Sequence, residues 1–575
     1  MAVKFGIRNF SRNGNQVTFT LVALNADGSI DTSFTGNFTW GLNGMSDPGL
    51  ASFSIADQGQ RTYTTTILDP NVRTGLAANF PGGPTGANLS VSGPSGTNVS
   101  FGNQGDHLLI GGAGNDTING NNGNDLFLLQ QGGNETVGGG AGDDGFYFGA
   151  TYTVADIVNG GAGSRDQVGL QGNYAAGVTL GSLLGVEMVV LLPGNDVRFG
   201  DTANNSYDYN LVADASTAVS SNRLTIQANT LRVGEDFTFD GSATGIDFLI
   251  YGGFGTDNLT GGSGNDGFFF GQGRFGANDV VNGGAGNMDQ LGLQGSYNGA
   301  NSITFGAGQL SGIEFIVLMS ASDNRFGSAG GTVDYQILTH DGNVAAGQRL
   351  VVSANTLQAG ETLVFDGRAE LDGTFQIFSG ASGDGLFGGQ GADEIWGGGG
   401  DDYIVGDGGA DQLWGGSGND DFVYVVASDS TAANRDHIRD FAAGDTIDFS
   451  ILALNTGGGA FTFIGGNGQT GARQVQVVQN GDQATVNVFV DANATPDLVI
   501  DVTLLGGHML GAGDFNGVNA MQQPAGGFEK VSGGARGNLW NLDGPGALLD
   551  SLADPTLVDG PNPLHAAPPT GDLLL

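Results

Sequence analysis

From Ser379 to Val423 the sequence divides without gaps into five nine-residue units, SGASGDGLF, GGQGADEIW, GGGGDDYIV, GDGGADQLW and GGSGNDDFV. This strict period constrains the chain more than any other feature, because only a backbone that repeats its own geometry can satisfy it. Position six is always Asp (Asp384, Asp393, Asp402, Asp411, Asp420) and position eight is always apolar (Leu386, Ile395, Ile404, Leu413, Phe422). Glycines concentrated at positions one, two and four permit a tight left-handed turn, and the apolar residue at position eight points between two stacked sheets. Each unit is then half a rung of a solenoid. Units alternate sides, so Asp384, Asp402 and Asp420 should lie above one another on one flank, and Asp393 and Asp411 on the other.

The same unit appears as GGAGNDTIN and GNNGNDLFL from Gly111 to Leu128, as GGAGDDGFY from Gly139, and as GGFGTDNLT and GGSGNDGFF from Gly252. A degenerate copy, QQGGNETVG, puts Glu135 at the acidic position. Carboxylates and turn carbonyls from adjacent rungs form an oxygen cage that suits Ca2+ far better than zinc or a soft metal. The metal ligands expected on this ground are Asp116, Asp125, Glu135, Asp144, Asp257, Asp266, Asp384, Asp393, Asp402, Asp411 and Asp420. Aspartates in Asp-Gly clusters commonly do no more than stabilise turns. Here the strict register and the fixed apolar position favour the cation.

Charge and cysteine content agree. The 575 residues carry a net charge of -41 and no Cys. Thiolate metal sites, disulfides and a Cys nucleophile are excluded, and bound cations are the natural substitute for cross-links. The charge opposes phosphate backbones and anionic membranes, so nucleic acid is not an expected partner. No apolar run reaches the roughly 18 residues of a membrane span, and the start, MAVKFGIRNF, lacks the apolar stretch of a cleaved export peptide.

The GGxGxD units resemble those of the RTX (repeats-in-toxin) proteins. The resemblance implies calcium-filled parallel β-rolls and export from Gram-negative cells through a type I exporter. The segment DDFVYVVASDSTAANRDHIRDFAAGDTIDFS, followed by FTFIGG, VNVFVDANATPDLVIDVTLLGG and GAGDF, is similar to the C-terminal domain of serralysin-type secreted proteases. That implies a β-roll closed by a calcium-supported sandwich. The sequence departs from serralysins by continuing about 60 residues past Phe515 and by having no HExxH motif.

Residues 1–100 are different in kind. They hold five basic side chains (Lys4, Arg8, Arg12, Arg61, Arg73) and five acidic ones (Asp27, Asp31, Asp47, Asp57, Asp69), so all of the net charge lies after them. QVTFTLVAL and GNFTWGL alternate between turn-rich stretches, which predicts antiparallel strands and a small β-sandwich. PGGPTGANLSVSGPSGTNVS reads as a linker or last loop.

A longer repeat organises the middle of the chain. GGAGDDGFYF, DIVNGGAGSRDQVGLQGNY, GVEMVVLLPGNDVRFG, YDYNLV and LTIQANTLRVGEDFTFDGSA recur as GGSGNDGFFF, DVVNGGAGNMDQLGLQGSY, GIEFIVLMSASDNRFG, VDYQIL and LVVSANTLQAGETLVFDGRA, offset by about 122 to 127 residues. EMVVLL and EFIVLM read as buried strands of wider rungs. The repetition of Asp166 as Asp289, Arg198 as Arg325 and Asp240 as Asp366 is read as turn and rung-stacking residues preserved by duplication.

The predicted fold is therefore all-β, an N-terminal β-sandwich followed by a long parallel β-roll or β-solenoid with stacked Ca2+ sites. Its parts are 1–100, a roll and first solenoid module over 101–260, a second module over 261–378, the regular roll 379–423, a serralysin-like domain 424–515 and a tail 516–575. The tail ends in Asp572, Leu573, Leu574 and Leu575, which resembles the end of a type I export signal.

The five histidines (His107, His340, His437, His508, His565) are scattered, which excludes a helical zinc-protease motif, and His107 is read as part of a cap on the first rung. Neither a G-x-S-x-G elbow nor a phosphate-binding P-loop is present. No enzyme is expected. The favoured reading is a secreted calcium-binding structural protein that self-assembles into a surface layer, filament or matrix on a Gram-negative cell. It resembles RTX surface-layer proteins. The N-terminal module would contact lipopolysaccharide or another glycan. The alternatives are a glycan-binding adhesin and, third, a carbohydrate-active enzyme with an unrecognised site.

Overall fold

In the computed structural model the described residues are the strands between 4 and 100 with a few turn residues, and 108–520 apart from 112–114, 202–203 and 324–329. His107, His565, Arg325 and the C-terminal tail beyond Ala520 lie outside them. The chain forms two compact units that meet in sequence between Asp266 and Gly267. Both are built almost wholly of strands.

At the N-terminus, Gln16–Leu24 lies between Lys4–Asn13 and Gln60–Thr66 with antiparallel pairing on both sides, and Leu89–Ser90 joins Lys4–Asn13 in parallel. Gly36–Asn43 lies between Ala51–Phe53 and Gly75–Asn79, again antiparallel. The two alternating segments singled out in the sequence are the central strands of these two sheets.

After this the pairing becomes parallel, and the chain steps between two sheets at every half rung. In the first unit one column of inward residues runs Leu109, Phe127, Phe146, Val168, Val189, Ile226 and Ile250, each in register with the next and at most 1% exposed. The facing column contains Ile118, Val137, Val158 and Leu183. The roll begins slightly before the expected boundary at 101. Asn98–Ser100, at the end of the supposed linker, pairs in parallel with Thr117–Asn122, because Val99 falls in register with Ile118.

In the second unit the column is Phe268, Leu291, Ile316, Val352, Ile377, Ile395, Leu413, Ile438 and Val502. Opposite it stand Ile337, Phe365, Leu386, Ile404, Phe422, Ile447 and Phe515. Burying a side chain of this size contributes about 1.5–3 kcal/mol, so the stacked position-eight residues are the main apolar support of each rung. The parallel ladder ends where Gln474–Asn480, Gln483–Phe489 and Leu498–Leu504 turn antiparallel. The short helix Ser450–Asn455 is the sole α-helix among the described residues.

The duplicated module is visible in matching hydrogen bonds. Tyr209 donates its hydroxyl to the Leu192 carbonyl, and Tyr335 to that of Met319, both at 2.6 Å. Gln171 and Gln294 each donate Nε2 at 2.6 Å, to the carbonyls of Asp196 and Asp323. Met188–Leu191 and Phe315–Met319 are the buried strands expected of EMVVLL and EFIVLM.

Candidate metal centre

The acidic residue of each unit precedes by two the apolar residue that anchors its strand, so it sits where the turn enters the sheet. Its backbone N–H points along the stacking direction and donates to the carboxylate one rung on. In the second unit Asp384 donates to Asp402 Oδ1 at 2.8 Å, Asp402 to Asp420 at 3.0 Å and Asp420 to Asp445 at 3.1 Å. On the other flank Asp393 donates to Asp411 at 2.8 Å and Asp411 to Asp436 at 3.0 Å.

The first unit repeats this arrangement. Asp116 donates to Glu135 and Glu135 to Asp156, at 2.9 and 2.7 Å. Asp125 donates to Asp144 and Asp144 to Asp166, both at 2.7 Å, and Asp166 to Glu187 at 2.9 Å. Asp266 Oδ1 accepts from Phe248 N at 2.6 Å. All eleven carboxylates singled out in the sequence are buried.

The second oxygen divides these residues into two kinds. In Asp393 and Asp266 it accepts the backbone N–H of the glycine at position two of the same unit: Gly389 at 2.6 Å and Gly262 at 2.7 Å. Asp384 accepts more weakly from Gly380 at 3.3 Å and also receives the Ser379 hydroxyl. In Glu135, Asp144, Asp166, Asp402, Asp411 and Asp420 the second oxygen is buried with no hydrogen-bond partner.

Among the aspartates the difference follows backbone conformation. Position two has positive φ before Asp144 (Gly140), Asp402 (Gly398), Asp411 (Asp407) and Asp420 (Gly416), and does not at Gly262, Gly380 or Gly389. The left-handed residue turns its N–H away from the carboxylate.

Unpartnered buried carboxylate oxygens are costly, and burial raises their proton affinity. It pushes Asp144 and Asp402 up to about 9, Asp411 up to about 10, and Glu135, Asp166 and Asp420 up to about 7. Neighbouring carboxylates add to the effect, Asp420 on Asp402 and Asp436 on Asp411.

The space before these oxygens is kept open by glycine. A methyl group on Gly397 would press on Asp402 Oδ2 and lie 2.6 Å from the Gly415 carbonyl oxygen. One on Gly139 would press on Asp144 Oδ2 and lie 2.5 Å from the Gly160 carbonyl oxygen. A carboxylate oxygen and a carbonyl oxygen of the next rung thus converge on one small cradle. Hard oxygen donors of this kind fit Ca2+. Asp144, Asp166, Asp402, Asp411 and Asp420, with these glycine carbonyls, are the residues that would hold it, and bound calcium would neutralise the oxygens that the fold leaves unpartnered.

The sequence pattern missed Asp156, Asp166, Glu187, Asp436 and Asp445 as ladder members, although Asp166 was noted as a repeated residue. Glu314 was missed as well; it receives the N–H of Asp289 at 2.9 Å. Their signal is the triplet of an acidic residue, any residue and an apolar residue, kept after the glycine run is lost. Asp240 and Asp366 instead close local turns, accepting from Ser242 N and Arg368 N at 3.0 and 3.2 Å. Arg198 pairs with Asp196. His437 Nε2 bonds the Thr503 hydroxyl at 2.7 Å and His508 lies 3.2 Å from Asp514.

Comparison with protein-family models agrees with this geometry. The family model of the peptidase M10 serralysin C terminal matches residues 371–515, and that of the RTX calcium-binding nonapeptide repeat matches 93–127 and 249–274. No curated protein matches the chain. Among solved structures, the AlgE6R3 subunit of the Azotobacter vinelandii mannuronan C5-epimerase is similar at 24% identity, covering 35% of this chain and 97% of that one with a TM-score of 0.20. The chain therefore carries calcium-binding RTX nonapeptide repeats and a C-terminal segment that matches the peptidase M10 serralysin C terminal.

Proposed function

We propose that the protein is a secreted structural component that assembles into a surface layer, filament or matrix once calcium has folded its solenoid. The observation that carries this reading is the set of buried carboxylate ladders. Oxygens left unpartnered at Asp144, Asp166, Asp402, Asp411 and Asp420 make the folded state depend on a divalent cation. Such a chain stays extended where free calcium is scarce and folds where it is abundant, outside the cell. Exposed carboxylates on the same rungs, such as Asp401, supply further sites for calcium-bridged contact between copies.

The neutral residues 1–100 are assigned anchoring to an anionic lipopolysaccharide or other surface glycan, because they approach it without the repulsion felt by the rest of the chain. Electron microscopy of the purified protein with and without millimolar Ca2+ tests the assembly reading. A calcium-dependent lattice or filament is expected, and dispersed monomers in both conditions would overturn it. Cells producing a chain that starts at Gly102 should shed it into the medium; retention on the cell would remove the anchoring role.

A further inference from the structure

Among the described residues, one group of three acidic side chains brings its oxygens within 4.8 Å of one another: Asp341, Glu370 and Asp372. None belongs to a nonapeptide unit. Parallel pairing of Asp334–Leu338 with Thr362–Asp366 sets Leu338 opposite Asp366, which brings together the turns that follow the two strands. Asp341 lies in the first turn, and Glu370 and Asp372 in the second.

The two turns are already joined by hydrogen bonds. Leu371 N donates to Asp341 Oδ1 at 3.3 Å, and Gly347 N to the Asp372 carbonyl at 2.8 Å. Glu370 is fully buried. Its Oε1 accepts from Gly373 N at 3.0 Å and Asp372 N at 3.3 Å, while Oε2 is buried with no hydrogen-bond partner. None of the three forms an ion pair among the described residues. Three carboxylates gathered with a buried, unpartnered oxygen form an incomplete coordination shell, and a hard divalent cation completes it.

The duplicated module supplies an internal comparison. In the first copy Val212 stands opposite Asp240 as Leu338 does opposite Asp366. Counting forward from these pairs, Ala215, Thr244 and Ile246 occupy the places of Asp341, Glu370 and Asp372. Thr244 N and Glu370 N donate equivalently, to the carbonyls of Gly241 and Gly367 at 3.0 and 2.9 Å. The scaffold therefore closes without carboxylates at these places, and the second copy carries three of them.

We infer that Asp341, Glu370 and Asp372 form a further Ca2+ site, outside the nonapeptide array, that clamps the turns of two adjacent rungs. Asp341 and Asp372 are exposed, so the site opens to solvent and exchanges its ion with the medium. Bound calcium per full-length chain, counted by atomic emission after equilibration in millimolar Ca2+, tests this. D341N and D372N should each retain one ion fewer than the parent with unchanged β content, and should become more susceptible to proteolysis within 340–347. E370Q should lose the same ion, and the two exposed variants keep the test valid if E370Q does not fold. Equal counts in D341N, D372N and parent would overturn this site alone. A count that fell only together with β content would overturn it as an independent site. A parent chain that bound no calcium would overturn the array reading together with this site.

Discussion

The backbone N–H of Asp402 donates to Oδ1 of Asp420, 18 residues later, at 3.0 Å, and the Oδ2 atoms of both are buried without a partner. One oxygen of each carboxylate thus binds the rungs together, and the other is left for a cation. Asp402→Ala removes both roles at a position flanked by Asp384 and Asp420. It should raise the Ca2+ concentration needed for half-maximal folding at least about tenfold, or about 1.4 kcal/mol. Asp384→Asn should shift it far less, because both Asp384 oxygens already accept hydrogen bonds. Asp116→Ala, at the start of a short array, should also cost less than Asp402→Ala. Calcium titrations followed by circular dichroism compare the three, and equal shifts would contradict the distinction.

Gly397→Ala places a methyl group against Asp402 Oδ2, the end of a buried side chain, and against the Gly415 carbonyl, which is backbone and cannot swing aside. Overpacking of this kind costs about 1–3 kcal/mol, and here it also occupies the cradle. Gly468, with nothing within 4 Å of an added methyl, is the control, and Gly468→Ala should stay within about 0.5 kcal/mol of the parent. Denaturation in millimolar Ca2+ measures both. A Gly397→Ala chain as stable as the control would mean that no ion or close contact uses that space.

Without calcium, acid should favour the fold. Burial holds Asp402 near 9 and Asp411 near 10, against an ordinary aspartate value of 3.8. Below about pH 4 these groups are protonated in both states and impose no penalty. As pH rises, the unfolded chain ionises first, so the metal-free fold loses stability until the folded values are passed. In excess chelator, β content should be higher near pH 4 than near pH 8, whereas in millimolar Ca2+ it should persist at pH 8. Metal-free β content that increased with pH would contradict the sign.

Most of the ladder was legible because Asp402, Asp411 and Asp420 recur at a fixed spacing with Ile404, Leu413 and Phe422 two residues on. Glu187, Glu314 and Asp436 were not, because longer turns stretch the spacing to between 21 and 25 residues while the stacking bond is kept. The two turn states were also hidden. Gly389 and Gly398 hold the same place in their units, yet only Gly398 has positive φ. The clamp at Asp341 and Glu370 depends on the register of Leu338 with Asp366, which pairing decides and no local pattern announces.

Removing the chain after Ser430 deletes most of the serralysin-type domain and should leave the protein inside the cell, since type I export is expected to read the C-terminal end. Fractionation of producing cells measures this. Normal secretion of that truncation, or secretion that depended on the first 30 or so residues, would contradict type I export.

The central claim is that calcium folds this chain. At about a thousand times its Kd, each bound ion contributes about 4 kcal/mol to the folded state, and several ladders add their effects. Circular dichroism of the full-length protein at neutral pH, in excess chelator and then in millimolar Ca2+, is the most direct test. The account predicts a largely disordered spectrum after residue 101 in chelator and recovery of β structure on adding calcium. The same β content in both conditions would contradict it.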